Sequence, residues 1–198
     1  PMTPDKYPYY VFNVSWDSRN PRGMRALQLL GADDSVTEEE AIAIAMNVYD
    51  LLAEPWQKAL KAAVDAAGQE YLTDADYKAA VDALLAWDGN YRPESKGAPI
   101  MKFWRLRCEG AVNVEAIAKG EELPPADLVK LADLLKATVT DMKATYGAID
   151  VMWGDIHVLG RGDTFVGCGG VDFGGGPNKS NKTETLRDVG YAASKEMP

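Results

Sequence analysis

The sequence predicts a mainly helical protein, with a multi-helix body and a short C-terminal tail rich in β-strand and loop. Three observations predict it. Between residues 21 and 149 apolar residues recur at three- and four-residue intervals. Helix-starting and helix-stopping residues punctuate that stretch. From Val151 onward, glycines and short apolar runs replace the helical spacing. The expected organisation is an extended aromatic segment over 1–20, a helical body over 21–149 and a glycine-rich β/loop tail over 150–198.

The first twenty residues hold Tyr7, Pro8, Tyr9, Tyr10, Phe12 and Trp16, which suit an extended segment lying on another surface. Pro21 fits the first turn of a helix that carries Met24, Leu27 and Leu30 on one side and stops at Gly31. Thr37 followed by Glu40 forms a capping box, and the run Ala41–Met46 continues that helix to about Leu52. Pro55 opens the next helix; Trp56, Leu60 and Val64 share a face, and Gly68 closes it. Thr73 or Asp74 caps another, with Tyr77, Val81, Leu84 and Leu85 inward, running out at Trp87-Asp88-Gly89. After a polar loop comes a helix with Ile100, Phe103 and Trp104. Pro124-Pro125 starts the longest helix, with Leu128, Leu131, Leu135, Val139, Met142 and Tyr146 in register and Gly147 as the stop. Short strands are expected at Ile156–Leu159 and Thr164–Val166.

Of the 198 residues, 46% are hydrophobic, enough for a sizeable core and too many for a disordered chain. The formal net charge of −9 repels phosphate backbones, so nucleic acid is not an expected partner. No apolar run approaches a membrane span, and the N-terminus shows no signal peptide. Opening on Pro1 and closing on Pro198, the chain reads as a piece of something longer. Two cysteines, Cys108 and Cys168, permit one disulfide but define no framework, and a single histidine, His157, excludes multi-histidine metal sites.

The tract Arg161–Ser180, with seven glycines, invites several readings. A phosphate loop needs glycine immediately before its lysine, but Lys179 follows Asn178. A dinucleotide fingerprint would use Gly167 and Gly169, yet Asp172 stands at its third position. Cys168 and His157 supply a nucleophile and a base type, although a buried cysteine beside a hydrogen-bonded histidine explains them more simply. Arg161-Gly-Asp163 is an adhesion tripeptide of the kind that recurs by chance. Pro1 as a catalytic amine would need a buried strand, whereas Met2-Thr-Pro-Asp is polar and turn-like. Glu38, Glu39 and Glu40 suit a helix N-terminus. Spacing alone therefore yields no catalytic centre, and the glycines are expected to serve backbone geometry.

Two segments carry a resemblance: Leu85-Ala-Trp-Asp-Gly-Asn90 with Ser95-Lys-Gly-Ala98 and Phe103-Trp104, and Tyr146-Gly147 with Trp153-Gly-Asp-Ile-His157-Val-Leu-Gly-Arg161 and the glycine tract through Asn178. Over about residues 4–190 the chain resembles the large subunit of the penicillin acylase family, nearest its acyl-homoserine lactone and aculeacin acylase branch. The resemblance implies part of a larger α+β N-terminal-nucleophile hydrolase whose precursor cleaves itself. A serine exposed by that cleavage attacks the substrate amide with its own α-amino group as base. A backbone amide and an asparagine stabilise the oxyanion.

By that resemblance the serine and the oxyanion asparagine precede Pro1, the closing strands of the central sheet follow Pro198, and the chain by itself is inactive. The partners implied are the remainder of the precursor and a small N-acyl substrate, an acyl-homoserine lactone (quorum quenching) or a β-lactam antibiotic. The location implied is periplasmic or extracellular. Matching on Tyr7-Pro8 without gaps places the family's active-site arginine at Arg22, in preference to Arg25. A calcium ligand found in part of the family falls near Val11, whose side chain cannot coordinate calcium, so neither metal nor cofactor is expected. Trp153 and His157 are expected to be structural. Two other readings remain at this stage: a non-enzymatic helical binding module, and a cysteine hydrolase using Cys168.

Overall fold

In a computed structural model the protein is described over residues 21–161, 164–171 and 185–187; for Pro21, Arg22 and Arg161 the description covers the backbone alone. The aromatic segment 1–20 and most of the glycine tract, including Asp163, Asp172 and Lys179, lie outside the described residues, as does Val11.

The helices follow in chain order: α1 (Pro21–Gly31), α2 (Glu38–Ala45), α3 (Ala53–Ala67), α4 (Ala75–Ala86), α5 (Gly97–Cys108), α6 (Val114–Ala118), α7 (Pro125–Tyr146) and the single turn α8 (Trp153–Ile156). A 3-10 helix (Gln69–Thr73) links α3 to α4. Two antiparallel strands, β1 (Val158–Arg161) and β2 (Thr164–Gly167), form a hairpin in which Val158 faces Gly167. The mainly helical expectation holds.

Several helix ends form where cap chemistry dictates. The Thr37 hydroxyl accepts the Glu40 amide, and the Glu40 carboxylate accepts the Thr37 amide in return. Asp74, not Thr73, caps α4 by accepting the amides of Asp76 and Tyr77. Gly147 ends α7 in the left-handed region that a side chain resists.

The core lies between α3, α4, α5 and α7. Trp56, Leu60 and Ala63 project from α3 onto Leu131, Leu135 and Met142 of α7, and all six are fully buried. Each large aliphatic or aromatic side chain in that set contributes about 1.5–3 kcal/mol relative to exposure. The Trp56 and Trp104 rings meet edge to face at 5.2 Å, and Trp104 Nε1 donates to the Leu131 carbonyl at 3.0 Å, so the indole is buried without losing its polar partner.

Three expectations need correction. The helix begun at Glu38 stops at Ala45, not near Leu52. Beyond Asn47 the backbone bonds sideways: Val48 O accepts the Tyr91 amide, and the Asp50 amide donates to Gly89 O. Residues 47–50 thus form an extended strap against 89–91, with Tyr49 bridged to Asn90. Leu85 turns outward while Leu84 is buried. Met24, Leu27 and Leu30 do share one side of α1, and that side faces outward. The first tail strand starts at Val158, because Ile156 closes the α8 turn and His157 caps it. The helix α6, begun by the Asn113 side chain accepting the Ala116 amide, was not expected.

Candidate functional site

The two segments that carried the family resemblance, 60 to 70 residues apart in sequence, meet in space. Trp87 packs edge to face on Tyr91 at 5.1 Å, and Tyr91 packs likewise on Trp153 at 5.1 Å. Trp153 stacks on His157 at 4.8 Å with the rings 15° from parallel. Backbone bonds join the same segments, because the Trp153 amide donates to Ser95 O and the Gly154 amide to Pro93 O. Trp87 Nε1 donates to Asn90 O, and Trp153 Nε1 to Gly170 O. The ladder therefore fastens the helical body to the hairpin.

Glycines at this junction make room for backbone. Gly89 has φ +78, and a Cβ there would fall 2.7 Å from the Tyr49 ring. A Cβ on Gly167 would fall 2.5 Å from the Gly154 carbonyl oxygen, so β2 can lie against α8 only as glycine. For Gly167, Gly169 and Gly170, the described part of the tract, the expectation of a backbone role holds.

The structure brings Cys168 and His157 together. His157 Nδ1 lies 3.2 Å from Cys168 Sγ and 3.1 Å from the Cys168 carbonyl oxygen, and the Cys168 amide donates to His157 O at 3.0 Å. A carbonyl oxygen offers only lone pairs, so Nδ1 carries the proton. The nitrogen beside the thiol is then a donor and cannot accept the thiol proton. Burial also pushes the Cys168 thiol up, only partly offset by Arg187. This is a disarmed pair, unlike the exposed, low-pKa thiolate of a cysteine nucleophile. Cys108 and Cys168 are both free and buried, and no disulfide joins them. Cys168 borders a cleft of roughly 430 Å³ that Met46, Val48, Arg92, Leu159 and Arg187 also line.

Arg22 lies in the first turn of α1, and its side chain is outside the described residues. Arg25, the other candidate, is engaged on the strap. Its Nε donates to Asn47 Oδ1 at 3.2 Å, and its guanidinium sits 4.7 Å from the centre of the Tyr49 ring. Asn47 Oδ1 also accepts the Tyr49 amide at 3.3 Å.

Sequence reasoning missed the polar anchor beneath that strap. The Arg105 Nη1 donates to Asp50 Oδ2 at 2.6 Å, with both side chains buried from solvent. Asp50 Oδ1 accepts the Leu52 amide at 2.8 Å, and the guanidinium lies 5.2 Å from the centre of the Trp56 ring. A signal was present: Arg105 stands in the helical register of Ile100, Met101, Trp104 and Cys108, all buried. A cation inside an apolar stripe calls for a buried anion.

Among the described residues no cluster of His, Cys, Asp or Glu could hold a metal ion. Nor is any described helix long and apolar enough to cross a membrane.

A helical body is thus fastened to a glycine-bearing hairpin through an aromatic ladder and backbone bonds. The chain matches the penicillin amidase family over residues 1–197, and it belongs to that family of hydrolases, whose precursors are processed into several chains. No curated protein matches it.

Proposed function

We propose that this chain is an internal part of the large subunit of an amidohydrolase that deacylates N-acylated small molecules, either acyl-homoserine lactones or β-lactam antibiotics. The nucleophile is an N-terminal serine freed by self-cleavage and lying outside these residues, and its α-amino group acts as the base. Arg22 orients the centre. The remainder of the precursor, small subunit included, is the partner, and the enzyme works in the periplasm or outside the cell.

The observation that carries this reading is the family match over almost the whole chain. Two structural facts support it. In the only described cysteine–histidine contact, the ring nitrogen that faces the thiol also lies 3.1 Å from a carbonyl oxygen, which it can serve only as a donor. The surface also keeps apolar residues outward in a series: Met24, Leu27 and Leu30 on α1, Ile42 and Met46 on and just after α2, and Phe165 and Val166 on β2. That much outward apolar surface suits contact with further chain.

The test is denaturing mass spectrometry and N-terminal sequencing of the product of the complete gene, with amide turnover measured on an acyl-homoserine lactone and a penicillin. Two chains are expected, the larger beginning with serine and containing Tyr7 to Tyr191, and an Arg22→Ala enzyme should lose about a hundredfold in kcat. A single uncleaved chain without amidase activity would favour a helical binding module instead.

A further inference from the structure

We propose that Arg25 is a positioning residue for the active-site arginine, acting through a clamp formed with Asn47 and Tyr49. The proposal rests on the reading of Arg22 as the orienting arginine.

Helix α1 spans eleven residues and exposes Met24, Leu27 and Leu30, so apolar burial of that side does not fix its place. Among the described residues it has a specific polar tie. Arg25 donates from Nε to the Asn47 carboxamide oxygen and lays its guanidinium over the Tyr49 ring, while a weaker contact at 3.4 Å runs to Gln28 in its own helix. A planar guanidinium meets both demands at once, stacking on a ring while donating in its own plane; a lysine ammonium cannot.

What the clamp grips is itself held. Asn47 Oδ1 accepts the Tyr49 amide, the Asn47 carbonyl accepts the Arg187 amide at 2.9 Å, and Tyr49 bridges to Asn90. Three residues beyond Asn47, Asp50 is locked to Arg105 in the core. Position therefore passes from the helical core through Asp50 and the strap to Arg25, and one helical turn back along α1 to residue 22. An orienting group displaced by about 1 Å costs roughly a hundredfold in rate, so a support of this kind acts on kcat while leaving the substrate pocket untouched.

The experiment uses the complete processed enzyme and compares Asn47→Leu, Asn47→Asp, Arg25→Lys, Arg22→Ala and the Arg22→Ala/Asn47→Leu double variant. Asn47→Leu and Arg25→Lys are expected to lower kcat about tenfold or more with KM within about twofold of wild type. Asn47→Asp, which keeps the acceptor oxygen, should restore kcat. The double variant should be no slower than Arg22→Ala alone, because Asn47 acts through Arg22; a merely structural role would add its own loss. Where Asn47→Leu yields no processed enzyme, Arg25→Lys, which keeps the charge and the helix, carries the comparison. A slow Arg22→Ala enzyme beside unaffected Asn47→Leu and Arg25→Lys enzymes overturns the positioning role alone. A double variant slower by the full product of the two losses does the same. An Arg22→Ala enzyme with wild-type kcat overturns the reading of Arg22, and the clamp's purpose with it.

Discussion

Replacing Asp50 by alanine removes the carboxylate that Arg105 meets in the core, and it does so where water cannot substitute. Both side chains are within 1% of complete burial, and they meet at 2.6 Å. Truncation takes from the buried guanidinium the Asp50 carboxylate that it donates to, which costs about 3–5 kcal/mol. It also takes the acceptor from the Leu52 amide at the mouth of α3, a further loss of about 1 kcal/mol. Since 1.4 kcal/mol is tenfold in an equilibrium, the combined loss of about 4–6 kcal/mol should make local opening of α3 and α5 about a thousand to twenty thousand times more frequent. Hydrogen exchange on the processed enzyme, followed at the amides of Leu52, Ala53, Trp56 and the second half of α5, reads that opening directly. Substituting both partners with apolar residues, Asp50→Leu with Arg105→Met, should recover most of the protection lost in Asp50→Ala, because the buried cation is removed together with the carboxylate. An Asp50→Ala enzyme whose α3 and α5 amides exchange less than tenfold faster would refute the argument. So would a double variant that exchanges faster than the single one.

Gly167→Ala should cost about 1–3 kcal/mol through overpacking, because its Cβ would meet the rigid Gly154 backbone at 2.5 Å, and a drop in the melting temperature of the processed enzyme reads it. Gly147→Ala meets open space and pays only the left-handed backbone, about 1 kcal/mol, so Gly147→Asn should recover part of it. Burial pushes the Cys108 thiol up to about 12 from an ordinary value near 9, and the Tyr77 hydroxyl up to about 12 from near 10. Both stay neutral in the folded protein while the unfolded chain ionises, so the folded state binds more protons and stability falls as pH rises, between about 9 and 12 for the Cys108 thiol and between about 10 and 12 for the Tyr77 hydroxyl. Melting temperatures across that range, compared with a Cys108→Ala enzyme, check the thiol's share. Cys168, raised by burial and facing a donor nitrogen, should resist iodoacetamide at pH 7.5 in the folded enzyme and label on unfolding; rapid labelling that abolished turnover would restore the cysteine-hydrolase reading.

Local chemistry wrote much of this fold into the sequence. The Thr37–Glu40 box, the Asp74 cap, the Gly147 stop and the apolar register of the Pro125 helix each depend on residues within a turn or two of one another, and each appears in the structure. The sequence by itself also determined the family, through two tryptophan-centred segments whose order and spacing are one-dimensional facts. Only the tertiary structure decided what those segments do. Trp87 and Trp153 are joined through Tyr91, and no local rule states that indoles 66 residues apart share a tyrosine. It likewise decided where the Glu38 helix ends, because the backbone groups of residues 48–50 found partners at 89–91 that no periodicity announces. Pairing across distance also separated the arginines: Arg105 finds its anion 55 residues away in the core, and Arg25 finds Asn47 on the strap that this anion holds. Helical register reveals that a charge lies on a buried face, whereas the partner that makes its burial tolerable is chosen only when the chain folds back on itself.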